Sequence, residues 1–247
     1  MNTDRLNGAL PQAVGSLHAL ARDLELNNEE LIATLGFLKE VAEADELVLL
    51  ADVLGLSRLV DDLTHAGQDG TQSNVLGPFY RPDAPWIENP GSIAPPDEEG
   101  ERLELWGRVS DGTSGAPLGG AVIEFWQADA RGLYSNEDSE RSPWALRGRQ
   151  LIADDGSYQL ETIKPKHYTV KHDGPVGRLL AALGRHPWRP AHIHFLVSAP
   201  GYRRLVTQVY VAGGPYLDDD AIGGVKDELV VPIEAGRLRF DLALSRG

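Results

Sequence analysis

The sequence contains no cysteine among its 247 residues. Disulfide bonds, iron–sulfur clusters and thiolate zinc sites are therefore excluded. A chain without cysteine fits a reducing compartment, and we expect it to be cytoplasmic. A site built from soft thiolate ligands is ruled out, so any metal must be held by nitrogen and oxygen atoms.

The sequence also lacks long apolar runs and an excess of positive charge. No run approaches the ~20 residues that cross a bilayer, so we expect no membrane span. The opening residues MNTDRLNGAL have no basic start followed by an apolar core, so we expect no signal peptide. The formal net charge is −14, which repels phosphate backbones, so we expect no nucleic-acid partner.

Apolar residues recur at helical spacing through the first third of the chain. A helix over residues 3–24 is expected to be weakened by Pro11, and Asn28 is expected to cap a second helix. Gly55 is expected to end a third helix. The residues with this spacing are Leu31, Leu35 and Leu38, then Leu47, Leu50 and Leu54, then Leu56, Leu59, Val60 and Leu63. We take residues 1–66 as an N-terminal helical region.

The pattern changes to short strands separated by turns after an irregular connection at 67–100. Asp154, Asp155 and Gly156 predict a tight hairpin between two strands. The predicted strands are Arg102–Ser110, Ala121–Ala128, Gln150–Ala153, Ser157–Ile163, Ala191–Ser198, Leu205–Val211 and Arg237–Ala243. The predicted fold is mainly β with α: an antiparallel β-sandwich catalytic domain at 67–247 preceded by the helical region.

The sharpest local motif is His192-Ile193-His194 in a predicted strand. Side chains at i and i+2 leave the same face of a strand about 7 Å apart along the chain, so both imidazoles can reach one metal ion. Zinc with these histidines and a carboxylate is one reading. A hard ferric ion with tyrosinate ligands is another, because a phenol with a pKa near 10 ionises at neutral pH only beside a strong Lewis acid. Composition alone does not choose between them.

Five segments, in order, resemble the intradiol ring-cleavage dioxygenases, the group that contains catechol and hydroxyquinol 1,2-dioxygenases. The resemblance covers roughly residues 28–243 and is closer to the hydroxyquinol branch. The segments are Val75-Leu76-Gly77-Pro78-Phe79-Tyr80; Phe125-Trp126-Gln127-Ala128-Asp129 running to Gly132-Leu133-Tyr134-Ser135; Lys164-Pro165 through Tyr168 to Asp173-Gly174-Pro175-Val176-Gly177; Gly184-Arg185-His186-Pro187-Trp188-Arg189-Pro190-Ala191-His192-Ile193-His194-Phe195; and Tyr216-Leu217-Asp218-Asp219-Asp220.

The resemblance implies one non-heme Fe(III) ion held by Tyr134, Tyr168, His192 and His194. It implies a catechol-type aromatic diol and dioxygen as substrates, with the ring opened between the two hydroxyl-bearing carbons. It also implies a β-sandwich whose N-terminal helices form a homodimer, with a phospholipid bound at the dimer interface.

The same resemblance assigns catalytic roles. Tyr168, when displaced from the metal, would take a substrate proton. Arg189 would stabilise negative charge on the ring, and Gln208 would be a polar group near the ligands.

The segments that resemble the family's pocket walls offer Val75, Pro78, Ala221 and Ile222, together with Arg189, as substrate-binding residues. Ala221 is small where catechol-specific members tend to carry a large aromatic residue, which leaves room for a third ring substituent. We therefore expect hydroxyquinol or another substituted catechol as substrate. The product would be a maleylacetate- or cis,cis-muconate-type dicarboxylic acid.

Three alternatives stay open at this point. The chain could be a catechol 1,2-dioxygenase proper. It could be a zinc hydrolase using the two histidines and a carboxylate, which would be colourless. It could also be a non-catalytic β-sandwich binding module, which would carry almost no metal.

Overall fold

The computed structural model of the chain describes residues 3–247. Met1 and Asn2, which belong to the predicted helical region, lie outside the described residues. The chain divides into two compact units, Met1–Leu47 and Val48–Gly247. The division expected after residue 66 stays a prediction.

Four helices lie in the first third of the chain, as the apolar spacing predicted. They are α1 (Thr3–Asp23), α2 (Asn28–Glu43), α3 (Leu47–Val53) and α4 (Leu56–His65). The predicted cap of α2 is wrong by one residue. Asn27, not Asn28, accepts from the backbone N of Glu30 at 3.0 Å, and the Glu30 carboxylate accepts from the backbone N of Asn27 at 3.0 Å. This reciprocal pair places the cap three residues before the glutamate.

Pro11 does not interrupt α1, which runs through it without a break. A proline inside a helix removes one backbone donor. The neighbouring residues Ala9, Leu10 and Ala13 are strong helix formers. Their propensity is consistent with a helix that continues past the missing hydrogen bond.

Helix α4 turns its charged face inward and its apolar face outward. The Lys226 ammonium is buried against this helix, 3.2 Å from a carboxylate oxygen of Asp61 and 2.7 Å from one of Asp62. The four apolar side chains of the predicted face are 52–69% exposed: Leu56, Leu59, Val60 and Leu63. An exposed apolar face on a strongly amphipathic helix is typical of an interaction surface.

Two five-stranded sheets dominate the rest of the chain. One has the order β10-β9-β8-β3-β4, and the other has β1-β5-β2-β11 with β12 also paired to β2. The bounds are β1 (Gly91–Ser92), β2 (Arg102–Asp111), β3 (Val122–Gln127), β4 (Arg147–Leu151), β5 (Ser157–Ile163), β6 (Tyr168–Thr169), β7 (Trp188–Arg189), β8 (His192–Ser198), β9 (Leu205–Val211), β10 (Val230–Val231), β11 (Arg237–Arg239) and β12 (Leu242–Leu244).

Pairing in these sheets is antiparallel between the longer strands and parallel where the two- and three-residue strands join. The long pairs β2–β5, β3–β4, β3–β8 and β8–β9 are antiparallel. The outer pairs β1–β5, β9–β10, β2–β11 and β2–β12 are parallel. The expected antiparallel pairing is therefore wrong for the two- and three-residue strands. Each of these pairs with a strand that is distant in sequence, and a long connection allows either direction.

The tight turn at Asp154–Gly156 forms, but its two strands do not pair as a hairpin. Strand β4 pairs with β3 in one sheet, and β5 pairs with β2 in the other. Turn residues set only the local backbone conformation. Each flanking strand pairs with the strand that lies beside it in the fold. The turn therefore carries the chain from one sheet to the other.

Both sheets contribute to one apolar core. Leu105 of β2 and Leu160 of β5 lie in it beside Phe125 of β3 and Phe195 of β8, each at most 1% exposed. Because successive side chains of a strand point to opposite faces, the alternate residues of β3 and β8 face away from this core.

Neither helix α5 (Pro175–Ala182) nor the two-stranded ribbon β6–β7 was predicted from the sequence. The ribbon pairs Tyr168 directly with Arg189. Strands of two residues leave no periodic pattern to read. This short ribbon supplies two of the residues expected at the functional site.

Candidate functional site: a buried cluster of tyrosine and histidine

Strand β8 places His192 and His194 side by side on the face turned away from the apolar core. Each is 1% exposed, and their Nε2 atoms lie 3.1 Å apart. His192 Nδ1 lies 2.8 Å from the carbonyl oxygen of Pro190. A carbonyl only accepts, so Nδ1 carries the hydrogen, and the lone pair of His192 Nε2 points into the cluster.

Tyr134 reaches the same point from the loop after β3. Its hydroxyl lies 3.1 Å from His194 Nε2, and the residue is fully buried. The Asp129 carboxylate shapes this loop, because it accepts from the backbone N atoms of Arg131 and Leu133 at 2.8 and 2.9 Å. Gly132 has a φ of +91°, and a Cβ there would lie 2.8 Å from a backbone oxygen. Glycine thus allows the close approach that brings Tyr134 to the histidines.

Tyr168 enters from the β6–β7 ribbon. Its ring meets that of Tyr134 edge to face at 5.3 Å between centroids. Its hydroxyl lies 3.4 Å from Nη1 of Arg189, and the same Nη1 lies 3.2 Å from His192 Nε2. The structure therefore brings two phenol oxygens and two imidazole nitrogens from three separate segments into one buried cluster.

Burial dominates the ionisation of this cluster. It lowers the pKa of His192 and His194 well below 6.5, with the Arg189 charge adding to the effect on both. It raises the pKa of Tyr134 well above 10, and Tyr168 beside it adds to that shift. Burial also raises the pKa of Tyr168, although Arg189 opposes the change. All four groups are therefore neutral at pH 7 in the metal-free chain.

This donor set fits a metal ion. Neutral imidazoles present lone pairs, and the buried phenols would need a strong Lewis acid to ionise. Among residues 3–247, no group of three histidine, aspartate or glutamate side chains is placed to hold a metal. The zinc hypothesis requires a carboxylate beside the two histidines, and none lies there in the described chain.

Aromatic rings enclose the cluster. Phe79 stacks on Tyr134 with centroids 4.2 Å apart and planes at 19°, and Trp126 stacks on His194 at 4.6 Å and 9°. A Cβ at Gly77 would lie 3.5 Å from His194, so the loop at 77–79 closes over the histidine. These rings exclude water, which strengthens the electrostatic interactions inside the site.

Arg189 lies beside the cluster and is 3% exposed. Burial disfavours its charge, but Asp220, together with Tyr168 and Tyr210, outweighs burial and holds the pKa of Arg189 well above its ordinary value. Its guanidinium donates to both carboxylate oxygens of Asp220, at 3.1 and 3.2 Å. It also donates to Gln208 Oε1 at 3.1 Å. A permanent positive charge thus lies next to the site.

Gln208 lies on β9 opposite His194. Its Oε1 accepts from Arg189 and, at 2.7 Å, from the hydroxyl of Tyr210. Its Nε2 donates to the carbonyl oxygen of Val75 at 2.9 Å. In the metal-free chain Gln208 therefore bonds to the arginine and the pocket loop, and no hydrogen bond to the four cluster residues is seen in the described part of the chain.

The expected pocket residues fall into two groups. Ala221 and Ile222 are buried, and the backbone N of Ala221 donates to Trp188 O at 3.0 Å, next to Arg189. Val75 is half-buried and joined to Gln208, whereas Pro78 is exposed. Within the 77–79 loop it is Phe79, not Pro78, whose ring packs on the cluster.

Comparison with known proteins gives the family. The family described as Catechol dioxygenase N terminus matches residues 3–72, and the one described as Dioxygenase matches residues 75–239. A hydroxyquinol 1,2-dioxygenase of Rhizobium sp. (strain MTP-10005) is 39% identical, over 93% of this chain and 80% of its own length.

The chain belongs to the intradiol ring-cleavage dioxygenases. A catechol 1,2-dioxygenase of Candida albicans is 38% identical, over 94% of this chain and 79% of its own. The solved structure of a hydroxyquinol 1,2-dioxygenase from Pseudomonas putida DLL-E4 matches with a TM-score of 0.92 at 33% identity, covering 99% of this chain and 93% of that one. The family is one of non-heme iron enzymes that act on aromatic diols, and the cluster described above suits such an ion.

Sequence reasoning missed several residues that shape the site of this dioxygenase. Phe79, Trp126 and Asp220 all lie inside segments that carried the family resemblance, yet none was assigned a role. Their roles depend on contacts between distant segments, which one sequence does not give. Among residues 3–247, no helix is both long and apolar enough to cross a membrane.

Proposed function

We propose that this dioxygenase holds one Fe(III) ion with Tyr134, Tyr168, His192 and His194. Its proposed reaction is cleavage of the ring of hydroxyquinol or another substituted catechol with dioxygen, between the two hydroxyl-bearing carbons. The observation that carries this proposal is the meeting of the four donor atoms in one buried cluster. The product would be a dicarboxylic acid of the maleylacetate or cis,cis-muconate type.

Bound Fe(III) would supply the Lewis acidity that ionises phenols and the redox chemistry with dioxygen. The chain's own residues have separate tasks. His192 and His194 stay neutral because they are buried, so their lone pairs remain free for a metal. The aromatic rings around them keep bulk water away from a reactive ring.

Tyr168 is the proposed proton acceptor. Its hydroxyl lies 3.4 Å from Nη1 of Arg189, so the arginine charge would stabilise a Tyr168 phenolate that accepts a proton from the diol. Arg189 would also stabilise negative charge that develops on the substrate ring. Gln208 would support the guanidinium through its 3.1 Å contact with Nη2.

The substrate preference rests on the pocket wall. Ala221 carries only a methyl group and is 1% exposed, so the wall leaves room for a third ring substituent such as the extra hydroxyl of hydroxyquinol. Ile222, Val75 and Pro78 would complete the wall. Relatives named for hydroxyquinol and for catechol match at similar identity. Catechol 1,2-dioxygenase activity proper is therefore the second candidate.

Homodimer formation through the N-terminal helices is part of the proposal. The apolar stripe of α1 is 40–64% exposed: Leu6, Leu10, Val14, Leu17 and Leu20. The apolar face of α4 is exposed as well. A second copy of the chain, with a phospholipid at the interface, would cover surface of this kind.

The division of the chain into two regions is also part of the proposal. The two sheets around one core would be the layers of a β-sandwich in a catalytic domain at 67–247, and residues 1–66 would form the dimerisation region. The absence of cysteine agrees with a cytoplasmic enzyme.

Oxygen uptake by the iron-loaded protein tests the function. Hydroxyquinol, catechol and halogenated catechols are supplied in turn, and the products are identified by mass spectrometry. We expect uptake of one O2 per ring and a dicarboxylic acid product, fastest with hydroxyquinol. A yellow semialdehyde product would contradict intradiol cleavage, and a native protein with almost no metal would favour a non-catalytic binding module.

A further inference from the structure

We propose that Asp220 is a positioning residue that fixes the distance between Arg189 and the pocket wall formed by Ala221 and Ile222. This inference rests on the proposed function, because it assigns to Asp220 the geometry of a charge that acts on the substrate. The carboxylate would act through Arg189 and through the backbone that follows it, without touching substrate.

Arg189 and Asp220 form a bidentate ion pair, the fork. Nε and Nη2 of Arg189 donate to the two separate oxygens of Asp220, at 3.1 and 3.2 Å. The Arg189 side chain is 3% exposed and that of Asp220 is 1% exposed. A planar guanidinium bonded to both oxygens of a buried carboxylate has its plane and its rotation about Nε–Cζ set by that carboxylate.

The same two oxygens of Asp220 also accept hydrogen bonds from the backbone of the segment that carries the pocket wall. Oδ1 of Asp220 accepts from the backbone N of Ile222 at 3.4 Å, and Oδ2 accepts from the backbone N of Gly224 at 2.9 Å. One carboxylate therefore receives two donors from the arginine and two from the segment that carries the wall. The arginine and the wall cannot shift relative to each other without loss of one of these bonds.

Gly224 shows how closely the parts fit. A Cβ at this position would lie 3.0 Å from Arg189 Nη2, 3.0 Å from the Tyr210 hydroxyl and 3.1 Å from Asp220 Oδ2. These separations are tighter than ordinary carbon contacts, so a methyl group here would push the fork apart. The Asn74 side chain holds this glycine from the other side, through a 2.7 Å bond to its carbonyl oxygen.

The other partners of Arg189 each contact a single nitrogen. Gln208 and Tyr210 accept from Nη2, each at 3.1 Å, and Tyr168 and His192 lie 3.4 and 3.2 Å from Nη1. Asp220 bonds two nitrogens, Nε and Nη2, so loss of its carboxylate removes the bidentate contact that sets the plane of the guanidinium. A charge displaced by about 1 Å at a reacting centre can cost roughly a hundredfold in rate.

The test compares Asp220→Asn with Asp218→Asn. Asp218 belongs to the same run of three aspartates but is exposed, so its variant removes the same charge without touching the fork. We expect kcat for hydroxyquinol to fall by roughly ten- to a hundredfold in Asp220→Asn with a smaller change in KM, because Arg189 acts on charge that develops in the transition state. We also expect the hydroxyquinol-to-catechol ratio of kcat/KM to change. Asp218→Asn should leave all three quantities at wild-type values.

An NMR measurement on metal-free protein tests what holds Arg189 independently of the proposed dioxygenase activity. In ¹⁵N-edited NMR spectra, a buried Arg189 Nε–H bonded to carboxylate gives a signal that exchanges slowly with water. This signal should shift and lose protection in Asp220→Asn and stay unchanged in Asp218→Asn. If the wild-type enzyme consumed no oxygen with any diol, the proposed function would fail, while the NMR comparison would still decide what holds Arg189.

Gly224→Ala tests the same contact by crowding it with a methyl group. It is the alternative variant if Asp220→Asn does not fold. It should shift the Arg189 signal and change the substrate ratio in the same direction. An Asp220→Asn or Gly224→Ala protein with wild-type kcat, substrate ratio and Arg189 signal would overturn the inference.

Discussion

The two faces of strand β8 are equally buried and chemically opposite. Ile193, Phe195 and Val197 lie in the core between the sheets, and each is 0% exposed. His192 and His194 lie on the other face and are 1% exposed. The first face is held by packing alone, whereas burial of a polar atom on the second face costs free energy unless that atom has a partner.

This difference separates stability from function within one strand. An apolar face tolerates apolar side chains of similar volume. A polar face in the same dry environment favours groups whose hydrogen bonds or metal bonds are satisfied. Substitutions on the core face should therefore change the free energy of unfolding, and substitutions on the histidine face should change metal binding and rate.

The largest effect is expected from Tyr134→Phe. The substitution keeps the ring stacked on Phe79 and removes only the oxygen that lies 3.1 Å from His194. Loss of a group that merely supports a metal ligand costs about ten- to a hundredfold, so loss of this proposed ligand should lower oxygen uptake by at least roughly a hundredfold. Iron content and oxygen uptake are measured together. Wild-type uptake in this variant would remove Tyr134 from the site.

Phe195→Ala should give the largest loss of stability on the core face. The ring is fully buried between Phe125 and Phe240, at 5.6 and 5.2 Å between centroids. Its removal leaves a cavity and should lower the free energy of unfolding by about 3–5 kcal/mol, measured by urea denaturation. The fraction that stays folded should still bind one iron per chain. A loss of iron without a loss of stability would contradict the separation of the two faces.

The histidine face should make the metal-free protein sensitive to acid. The pKa of His192 and of His194 is well below 6.5 in the folded chain, so below pH 6.5 the unfolded chain binds protons that the folded chain does not. The free energy of unfolding should therefore fall with decreasing pH, by up to about 1.4 kcal/mol per pH unit for each histidine.

Urea titrations of metal-free wild type and His194→Gln between pH 7.5 and 5.5 check this effect. The variant should lose part of the slope, because only one buried histidine remains. Equal slopes would mean that burial does not hold His194 neutral.

Tyr158→Phe is the matched control for Tyr134→Phe and should have the smallest effect. Tyr158 is also a buried tyrosine, but it lies in the core between the sheets and donates to the carbonyl oxygen of Phe240 at 2.6 Å. Loss of that hydrogen bond should cost about 1 kcal/mol of stability and leave iron content and oxygen uptake unchanged. A drop in iron content would show that the core and the site are not independent.

The sequence predicted long strands well and edge elements poorly. The observed bounds of β5 and β9 agree with the predicted runs, because long stretches of buried alternation leave a clear pattern. The run predicted at Arg237–Ala243 is instead two short strands, β11 and β12. The ribbon β6–β7 was not predicted, since two residues cannot show a period.

The cluster itself could be predicted only through family resemblance. His192 and His194 are two residues apart in one strand, so their convergence follows from strand geometry. Tyr134 comes from a loop and Tyr168 from the distant strand β6, and nothing in their local sequence points to a shared site. The Asp220 fork was missed because it depends on a contact across 31 residues.

Addition of Fe(III) to metal-free protein, followed by visible absorption, tests the central claim most directly. If the two phenols and two imidazoles bind one ferric ion, a tyrosinate-to-iron absorption band should grow and saturate at one equivalent of iron per chain. The band should be absent when Tyr134 and Tyr168 are both replaced by phenylalanine. Tight binding of iron without colour in the wild-type protein, or the same band in the double variant, would contradict it.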